Sequence, residues 1–162
     1  VWKGGSAAVL AALAGDRQVE LFDTFDGCPE PSPKDISVHG RLGQAGEAKA
    51  GIHFVLDLLH RLGLTSPKIR VHLGHIESTV PLWVGEIGPI ALLHLDCDWY
   101  QSTKVCMSKL YPETAVGGYV FADDAGYWPA SREAIDAFFL MRGLDAPLLT
   151  WVDHTGTFWK KT

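Results

Sequence analysis

No apolar run in this sequence approaches the roughly 20 residues a membrane-spanning helix needs; the longest, such as Ile90 to Leu95, fall far short of it. No basic-then-apolar leader opens the chain either, so a soluble, cytoplasmic protein is expected. Lysines and arginines form no block, and a net charge of -5 with a pI near 5.7 excludes the electrostatic footprint of a nucleic-acid binder. Cysteine is scarce. Cys28, Cys97 and Cys106 make no C-x-x-C pair, and an odd number completes no disulfide framework, so reduced thiols are expected. Seven histidines are scattered without an H-E-x-x-H or a two-His helical spacing, which removes the usual zinc sites.

What is present fits one globular domain: 162 residues, 47% hydrophobic and 20% charged, enough to bury roughly 70% of the unfolded surface. The chain opens on Val1, not methionine, and runs at once into the Gly-rich turn of Trp2 to Ser6, so upstream sequence is expected to be missing. Ser6 to Ala14 reads as a helix rich in alanine and leucine, stopped by Gly15. Val19 to Asp23 reads as a buried strand ending in acid. Cys28 to Gly46 carries three prolines and two interior glycines, and is expected to be a long irregular loop of the kind that often forms lids.

Glu47 to Leu62 has the three-and-four spacing of an amphipathic helix, and Ile69 to Leu73 is a strand. Pro81 to Pro89 reads as a linker. Ile90 to Leu95 is so continuously apolar that burial on both faces is expected. Thr103 to Tyr111 reads as a helix, Gly117-Gly118 as a turn, and Tyr119 to Ala122 as a strand. Ser131 is expected to cap a helix reaching Gly143, and Leu148 to Val152 with Thr157 to Trp159 to form an antiparallel hairpin. Strands alternating with helices imply an α/β domain with a mainly parallel sheet and an antiparallel edge.

Three strands end in acid, at Asp23, at Asp96 and at the Asp123-Asp124 pair, and ligands of open α/β sheets bind at the carboxyl ends of strands. Asp23 follows the Gly-rich turn by about 20 residues, the spacing at which a carboxylate accepts from ribose hydroxyls. Two glycines before a helix are also common in plain turns. Three carboxylates at the ends of two strands repel one another unless a cation neutralises them, and Mg²⁺ takes hard oxygen ligands while keeping positions for water or substrate oxygens. The bland alternative is three ordinary strand-end acids.

The segments LHLDCDWYQST (Leu93 to Thr103), GGYVFADDAGYWP (Gly117 to Pro129) and WVDHTGTFWKK (Trp151 to Lys161) resemble the macrocin O-methyltransferase family. VWKGG at the start, DTFDGCPEP (Asp23 to Pro31) and LGHIESTVP (Leu73 to Pro81) resemble it too, in the same order over nearly the whole chain. The resemblance implies a Rossmann-like class I methyltransferase fold whose first strand is absent here. It implies S-adenosylmethionine and Mg²⁺ as cofactors, and methylation of a sugar hydroxyl in antibiotic biosynthesis. By the same resemblance, Asp96, Asp123 and Asp124 match the metal ligands, and Asp96 also the general base. Lys3, Gly4, Gly5 and Ser6 match the methionine end of the cofactor site, Asp23 and Phe25 its ribose region, and Gly74, His75 and Ile76 its adenine region. The chain departs from the family at Cys97, where glycine is common, and at Ala125, where tyrosine commonly follows the acid pair.

The partner implied is a small-molecule acceptor; a homo-oligomer is compatible with the sequence. Tyr127 and Trp128 suit either an acceptor pocket or packing, and His75, His94 and His154 either substrate contact or surface. Cys97 reads as a packed side chain. Two rival functions remain: a Mg²⁺-dependent phosphatase or phosphotransferase acting through Asp-x-Asp, and a non-catalytic relic binding a glycan or partner. A missing central strand would leave the strands at Val19 to Asp23 and Ile90 to Leu95 either paired directly or separated by a gap.

Overall fold

The computed structural model describes all residues from Val1 to Thr162. Its strands are β1 (Val19–Asp23), β2 (Ile69–Leu73), β3 (Ile90–Leu95), β4 (Thr114–Ala122), β5 (Thr150–Trp151) and β6 (Thr157–Lys160). Its α-helices are α1 (Gly5–Leu13), α2 (Ile52–Arg61), α3 (Ile76–Trp83), α4 (Tyr100–Lys109) and α5 (Pro129–Met141), with a 3-10 turn at Val84–Glu86. The strands form two sheets. β1 pairs with β2 in parallel, while the second sheet runs β3-β4-β6-β5, parallel between β3 and β4 and antiparallel beyond. β1 and β3 are not paired, so the two sheets are separated by a gap.

Each sheet carries its own core. Ala7, Ala8, Leu21, Phe25, Val55 and Leu59 pack α1, β1 and α2 together. The larger cluster joins α4 and α5 to one face of the second sheet through Leu93, Leu95, Met107, Val120, Ile135, Phe138 and Trp159. β3 is therefore buried on one face, not two. Leu93 and Leu95 are covered, but the alternate positions Leu92 and His94 point, with Tyr119, Phe121 and Phe158, into an apolar hollow of about 550 Å³ closed partly by Val9 and Leu10.

Several element boundaries differ from expectation. The segment Pro81 to Pro89 is not a plain linker: its start lies in α3, which continues through Pro81 and is anchored where the Ser78 and Thr79 amides donate to His75 O. α2 begins at Ile52, because Glu47 belongs to a loop neck and Ala48 holds a left-handed backbone at φ 54. α4 begins three residues early at Tyr100, whose amide is capped from afar by Asp35. β4 takes in Gly117-Gly118, where a side chain on Gly118 would stand 2.9 Å from Ala115 O. Ser131 is not a cap. Pro129 opens α5 after Trp128, and the Ser131 hydroxyl shares a buried 3.1 Å hydrogen bond with Thr103 of α4.

Candidate active site

The register of the second sheet assembles the acids. Leu95 pairs with Ala122, and the Asp123 amide donates to Leu95 O at 2.9 Å, so Asp96 and Asp123-Asp124 emerge side by side from adjacent parallel strands. One carboxylate oxygen from each of Asp96, Asp123 and Asp124 lies within 4.8 Å of the others. A fourth acid, Asp98, joins them: its amide donates to Asp124 Oδ2 at 3.3 Å, and its Oδ2 accepts from Cys28 Sγ at 3.1 Å. Asp98 holds a left-handed backbone at φ 56, which turns it back toward the cluster. The sequence signal for it is the Asp-x-Asp spacing from Asp96.

The cluster is electrostatically unbalanced. Burial, then Asp98, Asp96 and Asp123, push the Asp124 carboxyl up to about 9. Burial and Asp96 raise Asp123, and burial raises Asp98 against the hydrogen bond from Cys28. Hard oxygen ligands that converge and repel fit a divalent cation such as Mg²⁺, which would supply the missing positive charge. Burial and the neighbouring Asp98 push the Cys28 thiol far up, and a hydrogen bond with Cys106, then burial, does the same for Cys97. These thiols are protonated packing groups, not nucleophiles.

A cleft runs from the cluster to the end of β1, lined among others by Asp23, Thr24, His75, Ile76, Asp96 and Asp98, and encloses about 90 Å³. Asp23 Oδ1 accepts from the Phe25 amide at 2.7 Å, and Oδ2 from the Trp2 amide at 3.1 Å. The Val1 nitrogen lies 3.0 Å from Asp23 Oδ2 and 4.0 Å from Asp96 Oδ2, so Val1 and Trp2 stretch across the cleft. The structure thus brings Asp23, His75, Ile76 and Asp96 to one opening, with Asp123 and Asp124 beside Asp96. Gly74 adjoins it at φ 139, where a side chain would crowd Thr79. Phe25 is instead buried in the smaller core. Lys3, Gly4, Gly5 and Ser6 do not line the cleft: Gly4, at φ 88, packs on Val55, Ser6 borders the apolar hollow, and Lys3 sits over the Trp2 ring.

The remaining candidates sort by packing. Trp128 is buried edge-on against Trp99, their ring centroids 4.8 Å apart, and serves the core. His94 lies on the hollow's side, with Nε2 buried and unpartnered. His154 is exposed on the hairpin turn, which docks beside the acid pair where the Gly126 amide donates to Thr155 O at 2.9 Å. A Cβ on Gly126 would stand 2.1 Å from His154 O, which accounts for the glycine after Ala125.

The α/β fold is that of solved methyltransferases. The fold matches the O-methyltransferase NovP with a TM-score of 0.87 over 100% of this chain and 69% of that one, at 26% identity. It matches the calicheamicin methyltransferase CalS11 with a TM-score of 0.80 over 99% of this chain and 69% of that one, at 23% identity. Residues 1–161 match the model of the family described as macrocin-O-methyltransferase (TylF), and the chain belongs to that family. It is 28% identical over 178 residues to a demethyldecarbamoylnovobiocin O-methyltransferase of Streptomyces niveus. It is 30% identical over 170 residues to the 8-demethyl-8-(2,3-dimethoxy-alpha-L-rhamnosyl)-tetracenomycin-C 4'-O-methyltransferase of Streptomyces olivaceus. Both alignments cover this whole chain, which spans 64% of the length of either relative. No helix is long and apolar enough to cross a membrane.

Proposed function

We propose that the chain carries the catalytic half of an S-adenosylmethionine-dependent, Mg²⁺-dependent O-methyltransferase acting on a sugar hydroxyl of a small natural product in the cytoplasm. The convergence of Asp123 and Asp124 on Asp96, which lines a cleft that also holds Asp23, carries this reading. When bound, the cation lowers the pKa of an adjacent hydroxyl and the sulfonium cofactor supplies the methyl group. Asp96, Asp123 and Asp124 hold the metal, Asp23 accepts from ribose hydroxyls, and His75 and Ile76 flank the adenine. Lys3, Gly4, Gly5 and Ser6 belong to the same cofactor reading, with Phe25 and Gly74 shaping the backbone beside Asp23 and His75. Asp96 takes the proton of the acceptor hydroxyl, and the four acids fix its direction of approach.

Asp98 supports a second assignment of the base. It lies outside the metal-holding trio, so its lone pairs are not committed to a cation, and burial raises its affinity for a proton. Asp96→Ala that keeps metal affinity and full turnover overturns the first assignment; the same result for Asp98→Asn overturns the second. A non-catalytic role is favoured only by the narrowness of the cleft. Calorimetric titration with S-adenosylhomocysteine, with and without Mg²⁺, separates the two: binding supports the enzyme, and no heat in either condition overturns it for this chain.

A further inference from the structure

The segment from Cys28 to Glu47 is an Ω-shaped strap. Its neck is closed by two backbone bonds, Cys28 N to Glu47 O and Gly46 N to Cys28 O, both 2.8 Å. Inside it, Asp35 is 1% exposed yet carries a carboxylate with three donors. Oδ2 accepts from the amide and hydroxyl of Ser32, each at 2.7 Å, and Oδ1 accepts from the Tyr100 amide at 2.8 Å. Tyr100 is the first residue of α4, so Asp35 satisfies an orphan amide at the positive end of a helix that lacks a side-chain cap of its own.

The strap grips both acid-bearing segments. Beside Asp98, Trp99 donates from Nε1 to Pro29 O at 2.9 Å, and Gly43 lies so close to its ring that a Cβ would stand 2.2 Å away. Beyond Asp124, the Val38 amide donates to Tyr127 O at 3.0 Å. The left-handed backbone of Asp98 lies between Asp96 and this anchored pair, and such a conformation persists only where its flanks hold it.

We propose that Asp35 is a positioning residue for the metal centre: by capping α4 it fixes the strap to Trp99 and Tyr100 and so holds Asp96 within reach of Asp123 and Asp124. This rests on the metal reading of the same cluster. The strap is then a fixed wall of the site, not a lid that swings.

Titration calorimetry with Mn²⁺ on the whole chain, without cofactor and well below the melting temperature, tests it. Asp35→Ala is expected to weaken Mn²⁺ binding by about 10-fold, the low end of the loss seen when a direct outer partner of a metal ligand is removed, because Asp35 acts through Tyr100 and touches no ligand itself. Asp35→Asn keeps an acceptor for the Tyr100 amide but turns a donor toward Ser32, and should lose less. Lys34→Ala, which removes an exposed pair with Glu133 and a cation–π contact with the Tyr100 ring but leaves the Asp35 cap of α4 in place, should stay within about twofold of wild type. Trypsin should leave the wild-type strap intact at Lys34 and Arg41 and cut it in Asp35→Ala. Wild-type Mn²⁺ affinity in Asp35→Ala overturns the proposal, as does an equal loss in Lys34→Ala. If Asp35→Ala does not fold, Asp35→Asn carries the comparison, and wild-type affinity there overturns it. A wild type that takes up no Mn²⁺ overturns the metal reading and the proposal with it, whereas binding unchanged by the Asp35 variants sinks the proposal alone.

Discussion

The Asp123 amide donates to Leu95 O at 2.9 Å, carrying the β3–β4 ladder one step past the pair Leu95 and Ala122. Strand register, and not loop conformation, therefore sets Asp96 beside Asp123. Because alternate residues of a strand face opposite sides, the same register that buries Leu93, Leu95, Val120 and Ala122 delivers the acids to one end of the sheet.

The folded pKa of Asp124 stands well above its ordinary 3.8, at about 9, so its contribution to stability is fully present below about pH 4 and is lost as pH rises toward 9. In EDTA at pH 8, Asp124→Asn should stabilise the protein by roughly 1–3 kcal/mol, because folding must hold this carboxyl protonated well above its unfolded pKa, a cost the neutral amide does not carry. At about 2–4 °C per kcal/mol for a chain of this size, that is several degrees of melting temperature. An unchanged or lower melting temperature contradicts it.

The same shift makes metal binding proton-linked. Divalent ions need the carboxylate form, so Mn²⁺ affinity should rise from pH 6 to pH 8, with protons released on binding. Calorimetry in two buffers of different ionisation enthalpy measures that release. Equal heats in both, and a pH-independent affinity, would show that Asp124 is not a ligand.

Gly126→Ala tests the hairpin dock. Its Cβ would collide with His154 O at 2.1 Å, so either the hairpin turn or the Asp123–Asp124 segment must move. Overpacking of this kind costs about 1–3 kcal/mol. The variant should melt earlier and bind Mn²⁺ more weakly; wild-type values for both would place the hairpin outside the site's support.

Thiol reactivity gives an independent check on burial. With Cys28 and Cys97 held protonated and Cys106 buried, iodoacetamide at pH 8 should label the folded chain slowly and the urea-unfolded chain rapidly at all three positions. Fast labelling of Cys28 in the folded protein would mean that the strap neck does not shield it.

Much of this was legible in the sequence. All but one of the strands were read within a residue or two, because apolar runs ending in acid or glycine are local signals, and the acid cluster followed from those strand ends. The family motifs added the order of the parts. The misses have a common cause: contacts between segments distant in sequence. α4 starts early because Asp35 caps Tyr100 across 65 residues, and α2 starts late because Glu47 is held at the strap neck by Cys28. β3 reads as doubly buried, yet its Leu92 face opens on a hollow, since composition does not tell which layers are present. Val1 and Trp2, and not Lys3 to Ser6, line the cleft, although the family motif runs through all of them.

The most direct measurement is Mn²⁺ titration of the wild-type chain beside Asp123→Asn/Asp124→Asn. One site is expected in the wild type and none in the double variant, with both proteins folded by circular dichroism. No binding in the wild type, or equal binding in the double variant, would contradict the assignment of Asp96, Asp123 and Asp124 as a metal centre.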